Sequence, residues 1–302
     1  MAESSILHIT DPALLATLEA LKKSRVLLAK QKTVGQRFAV ERPGKLAVQT
    51  LLYRPKATAD KRLPVLFNLH GGAWLAGDAV YMESFCQLLA DELPALVVNV
   101  NYHKADVMPI REIIDEVADC VKYFRTHAEE YGINPERMVV GGHSAGAHLS
   151  MGTGLALKEE GIALKALMLV YPCTDLAGFG DEGTVTNGFV QMLFPDGGHE
   201  HPFISPLRAS DEMLKGLCTT IFIECGLDDL RPQGLAMAKR LIDNAVPVKI
   251  KEYPNALHGF LEVCRSDYTQ EDVRETPEQA AMARDCERYL IRELRATLVA
   301  TE

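Results

Sequence analysis

Gly142-His143-Ser144-Ala145-Gly146 sets a serine between two glycines, after the apolar run Arg137 to Gly141 and before an alanine-rich, helix-forming stretch. Flanking glycines permit a sharp strand-to-helix turn that lifts a serine hydroxyl above its sheet, with a helix N-terminus behind it. Alone the pentapeptide is weak evidence, since chance supplies it in about one chain in ten of this length. Serine at its free pKa is a poor nucleophile and needs an adjacent base, and histidine suits neutral pH. Downstream, Gly226-Leu227-Asp228-Asp229 follows one apolar run and Leu257-His258-Gly259-Phe260 follows the next. Ser144, Asp228 and His258 thus supply nucleophile, orienting acid and base for acyl transfer. Asp229 competes with Asp228 for the orienting role. Upstream, His70-Gly71-Gly72-Ala73-Trp74 follows the run Pro64 to Leu69. Glycines there let backbone N–H groups approach a developing oxyanion, so Gly71, Gly72, Ala73 and Ala145 are the expected donors.

These residues need a scaffold that brings strand ends together. Asp11-Pro12 starts a helix that Leu14, Leu15, Leu18 and Leu21 continue, to about Gln31. Strand-like runs follow at Leu46 to Tyr53, Pro64 to Leu69, Ala95 to Val100, Arg137 to Gly141, Leu164 to Val170, Thr219 to Glu224 and Val248 to Tyr253. Helical patterns lie after Pro109, after Ser144, around Leu235 to Ile242, and from Pro277 to Leu298. The alternation predicts an α/β fold: a mostly parallel, doubly wound sheet of about eight strands, flanked by helices. Ligands bind at the carboxyl ends of such strands, where Ser144, Asp228, His258 and the 70–74 loop all fall. The stretch from Thr174 to about Gly216 lacks periodicity and is long enough to be a lid or binding element. Residues 1–302 are therefore expected to form one domain, with a small helical cap from about 1–42 and about 174–216.

Composition narrows the partners. The 302 residues are 47% apolar and 24% charged, with a formal net charge of −9. Without clustered Lys and Arg, nucleic acid and anionic membrane surfaces are not the expected partners. No apolar run approaches a membrane span, and Met1 to Ser5 does not start like a secretory signal. Seven scattered cysteines without a CxxC pair suggest thiols in a reducing, cytoplasmic compartment.

Taken with Gly132 to Arg137, Tyr171-Pro172, Ser205-Pro206-Leu207 and His258-Gly259-Phe260, the motifs resemble the hormone-sensitive-lipase-like carboxylesterases of the α/β-hydrolase fold. The resemblance covers roughly residues 45 to 298. It implies the triad Ser144, Asp228 and His258, oxyanion positions at Gly71, Gly72, Ala73 and Ala145, and a two-part cap. It also implies a small-molecule ester with a short acyl chain and no metal or organic cofactor. Members of the group often form homodimers, although no residue here specifies the oligomer. Four departures bear on substrate, one of them Ala147 where the group has glycine. His143 stands where the group has aspartate, Ala73 replaces a third glycine, and Asn101-Tyr102-His103-Lys104-Ala105-Asp106-Val107 stands for Asp-Tyr-Arg-Leu-Ala-Pro-Glu. Gly142 to Leu149 also resembles kynurenine formamidases and some sugar acetylesterases. Formamide and sugar-acetate hydrolysis, and a non-catalytic receptor on the same fold, stay open at this point.

Other residues have plain readings. His70 is expected to brace the oxyanion loop, and His148 to pack behind the elbow. Trp74, His143 and Phe260 are candidates either for the substrate pocket or for the core. His199-Glu200-His201 lacks the spacing that puts two metal ligands on one helix face and is expected to be a solvated loop.

Overall fold

The computed structural model describes residues 7, 9, 11–57, 62–178, 185–265, 268 and 272–299. Eight strands form one sheet: β1 (Gln36–Val40), β2 (Val48–Tyr53), β3 (Leu63–Leu69), β4 (Leu96–Asn101), β5 (Ile133–His143), β6 (Ala166–Val170), β7 (Thr219–Leu227) and β8 (Val248–Leu257). Their order is β1-β2-β4-β3-β5-β6-β7-β8. The pairs β1–β2 and β2–β4 are antiparallel, and every other neighbouring pair is parallel. The helices are α1 (Pro12–Leu28), α2 (Glu83–Glu92), α3 (Ile110–Thr126), α4 (Ala128–Tyr131), α5 (Ala145–Glu159), α6 (Val185–Leu193), α7 (Asp211–Leu214), α8 (Arg231–Asp243), α9 (Phe260–Val263) and α10 (Pro277–Val299).

Alternate residues of a strand face opposite sides of its sheet, and here both sides are apolar. In β3, Val65, Phe67 and Leu69 join the core under α3, α5 and α8, while Leu66 joins the core under α2 and α10. Parallel strands need crossovers, so the helices cover both faces and the strand ends collect along one edge. Two expectations change. Residues 36–40, expected in the cap segment, are the edge strand of the sheet, and the first helix stops at Leu28. Helix α2, between β3 and β4, had no counterpart in the sequence pattern described above. Of the expected second cap segment, residues 179–184 lie outside the described residues; the rest carries α6 and α7. No helix among the described residues is long and apolar enough to cross a membrane.

Candidate active site

The turn between β5 and α5 holds Ser144 at φ 52° and ψ −116°, a conformation that non-glycine residues adopt only under restraint. The restraint is visible on both sides. The Ser144 N–H donates to the Val170 carbonyl at 2.9 Å. A Cβ on Gly146 would drive into the Leu69 and His70 carbonyls, and one on Gly142 into Leu69 and Gly146. The elbow therefore requires glycine on each side of the serine.

Ser144 Oγ lies 2.8 Å from His258 Nε2, and His258 Nδ1 lies 2.6 Å from Asp228 Oδ2. The imidazole can donate its Nδ1 proton to the carboxylate and accept the serine proton at Nε2. The Asp228 side chain is buried, and its Oδ1 accepts the Leu230 N–H at 2.9 Å. Asp229 is exposed, so the structure pairs His258 with Asp228.

The oxyanion loop shows one difference from expectation. The Gly71 N–H is taken by Glu262 Oε1 at 2.9 Å and is not free for a substrate. The N–H groups of Gly72, Ala73 and Ala145 have no partner among the described residues. Ala73 and Trp74 both hold positive φ, 49° and 61°, so the loop keeps its shape without the third glycine. Burial raises the Glu262 carboxyl, while the Gly71 N–H opposes that shift. Sequence reasoning missed Glu262, although it stands one helical turn after His258 among apolar neighbours.

A cleft of about 470 Å³ opens over Ser144 and His258. Its walls come from α1 through Leu21, Ser24, Arg25 and Leu28, from the 70–78 loop, and from Glu262, Val263, Tyr268 and Arg274. Arg274 donates to the His258 carbonyl at 2.7 Å and pairs with Asp272, so it ties the stretch after α9 to the catalytic loop.

The three pocket candidates do not line this cleft. Trp74 is buried and donates its indole N–H to His148 Nδ1 at 3.1 Å. His148 in turn donates Nε2–H to the Ile204 carbonyl at 2.6 Å, and burial lowers its pKa to about 4. Phe260 is fully buried against Tyr171 and Tyr253. His143 is fully buried beside Phe85 and Tyr171, with both ring nitrogens unpartnered among the described residues, and burial lowers its pKa to about 3. It is a neutral ring beneath the elbow. In the 199–201 stretch, His201 Nδ1 accepts the Phe203 N–H at 3.2 Å.

A family model described as the alpha/beta hydrolase fold matches residues 66–262. The chain belongs to this family, in the hormone-sensitive-lipase-like group. It is 29% identical over 228 residues to the carboxylic ester hydrolase LipN of Mycobacterium tuberculosis, covering 69% of this chain and 60% of LipN. It is 28% identical over 223 residues to an arylesterase of Saccharolobus solfataricus, covering 70% of this chain and 72% of that protein. The chain thus spans less than two thirds of LipN's length. The same holds for a mimivirus α/β hydrolase, of which it spans 65%. The solved structure of a Pyrobaculum calidifontis esterase superposes with a TM-score of 0.76 at 22% identity, covering 95% of this chain and 94% of that one, a likeness of fold.

Proposed function

We propose that this protein is a serine carboxylesterase that hydrolyses short-chain carboxylic esters through an acyl-enzyme on Ser144. The observation that carries this reading is the continuous hydrogen-bonded chain Ser144–His258–Asp228 at the mouth of the cleft. His258 Nε2 accepts the serine proton as Oγ attacks the ester carbonyl, and the ester C=O becomes an oxyanion. The free N–H groups of Gly72, Ala73 and Ala145 receive that charge, a contribution of about 3 kcal/mol per donor in comparable sites. The imidazolium then gives its proton to the departing alkoxide, and the alcohol leaves. Water attacks the acyl-enzyme with His258 again as base, releasing the carboxylic acid and restoring Ser144. No step draws on a metal or an organic cofactor.

Helix α1 and the described part of 174–216 form the cap in this reading, and α1 limits the acyl chain by walling the cleft. Formamide hydrolysis was suggested by the residues around the elbow, yet His143 is buried away from the cleft and cannot select a formyl amide there. The names of LipN and the arylesterase also point to esters. Seven free thiols fit a reducing cytoplasm. A homodimer is part of the proposal and is tested by light scattering in solution.

The test is an ester panel of increasing acyl length, run with the wild type and Ser144→Ala, together with formylkynurenine. The expected result is turnover of acetyl and other short esters, lost in Ser144→Ala, and stoichiometric labelling of Ser144 by a fluorophosphonate. Retained turnover in Ser144→Ala would overturn the reading, and so would an unlabelled serine.

A further inference from the structure

Lys104 has no place in the mechanism above, yet its ammonium is sunk beneath the oxyanion loop. The residue is buried. No carboxylate pairs with it among the described residues. Nζ instead meets three neutral acceptors: the Tyr102 carbonyl at 2.6 Å, His70 Nε2 at 3.1 Å and Asn101 Oδ1 at 3.2 Å. It also lies 4.3 Å from the centre of the Tyr102 ring, which stacks on His70 at 4.4 Å. His70 continues the chain, with Nδ1 2.5 Å from the Gly71 carbonyl. The opposite side of the same residue is held by Glu262 through the Gly71 N–H.

We infer that Lys104 is a positioning residue: its ammonium fixes the Nδ1–H tautomer of His70, which grips the Gly71 carbonyl and holds the oxyanion donors Gly72 and Ala73 in place. This inference rests on the esterase reading of the loop. An ammonium has three donors and no acceptor, matching its three acceptors. A neutral amine has two donors and a lone pair, so all three contacts survive only if one partner becomes a donor. The Tyr102 carbonyl cannot. Asn101 cannot turn its amide over, because its Nδ2–H already donates to Asp78 Oδ2 at 2.8 Å. His70 alone can adapt, by carrying its proton on Nε2. The Nδ1 lone pair would then face the Gly71 oxygen and the grip would be lost.

The proton on Lys104 is within reach of ordinary pH. Burial lowers its pKa to about 7, against the opposing pull of Asp78 from the loop, Glu116 from α3 and Asp106. Arg25 from α1 adds to the lowering. His70 itself stays neutral, since burial and Lys104 hold its pKa well below the usual value. Turnover is therefore expected to fall on the alkaline side as Lys104 loses its proton.

Two measurements test this. In the first, kcat and KM are followed against pH for the wild type and Lys104→Met. The wild type should show an alkaline fall in kcat at constant KM. The variant should be slower by about tenfold on the acid side, part of what losing an oxyanion donor costs, and should lack the alkaline fall. A wild-type profile in a folded Lys104→Met would overturn the inference. The second needs no variant: nitrogen NMR of labelled histidine should find His70 as the Nδ1–H tautomer below neutrality and as Nε2–H above it. A single tautomer across the range would overturn the inference. Failure of a fluorophosphonate to label Ser144 would overturn the esterase reading instead, a result that the tautomer measurement does not share.

Discussion

Two adjacent carboxylates, Asp228 and Asp229, differ in what surrounds them, and that difference predicts their roles. Asp228 accepts from His258 and from the Leu230 N–H, whereas Asp229 faces solvent. Asp228→Asn would present an amide donor to Nδ1 and force the wrong imidazole tautomer. We expect kcat to fall about ten-thousandfold on a short ester, as in comparable triads, with folding intact by circular dichroism. Asp229→Asn should leave kcat within about twofold, since exposed loop carboxylates carry little interaction energy. The reverse outcome would move the orienting role to Asp229. The triad was legible in the sequence because each member follows an apolar run, and a parallel sheet delivers such positions to one edge. Glu262 and Lys104 were not legible. Each acts on Gly71 from a different element, and nothing in local spacing shows which backbone group a distant side chain will find.

Among the elements, α1 is the one whose placement depends on few contacts. Leu14, Leu15, Val26 and Leu27 are exposed, and Leu18 and Leu28 are its only buried residues. Its start is well made: Asp11 accepts the Ala13 and Leu14 N–H groups at 2.8 and 3.1 Å, ahead of Pro12. Its docking runs through Arg25, which meets the buried Asp106 at 2.9 and 3.1 Å and the Leu75 carbonyl at 2.7 Å. Arg25→Met would strand a buried carboxylate, a loss of about 3–5 kcal/mol in comparable cases. The double variant Arg25→Met, Asp106→Asn removes that charge and should regain most of the stability in urea unfolding. Both variants should raise KM and speed tryptic cleavage at Lys22 and Lys23, because α1 walls the cleft. Unchanged KM in the double variant would show that α1 holds its place without Arg25. The continuous strands were legible from their apolar runs. Strand β1 was not, because as an edge strand it buries only Val40 fully. Helix α2 did carry a signal, Phe85, Cys86 and Leu89 at helical spacing, and a parallel β3–β4 pair demands a crossover in that interval.

Across the whole molecule, buried charge is mostly matched. Glu116 meets His103, Asp106 meets Arg25, and Arg42 meets Asp119. Glu224 on β7, like Lys104, is an exception. Its carboxyl is buried against Gly234 of α8, and Oε1 has no partner among the described residues. Burial, with Asp228 and Glu252 nearby, pushes its pKa up from 4.5 to about 9, against a smaller pull from Arg231. The folded protein therefore keeps a proton on Glu224 that the unfolded chain releases once pH passes the ordinary carboxyl value. Between those two pKa values the unfolded state binds fewer protons, so stability falls as pH rises, and the loss is complete only above the folded pKa. At neutral pH the accumulated loss is on the order of 3 kcal/mol. Glu224→Gln keeps the shape and a neutral group but has no proton to lose. In urea unfolding across a pH series, the variant should match the wild type in mild acid. It should then grow progressively more stable relative to it up to the alkaline range. Parallel curves would mean that Glu224 is solvated or paired in solution. A neutral Glu224 also keeps a second negative charge away from Asp228, so substituting glutamine should leave the triad's electrostatics and kcat at neutral pH unchanged.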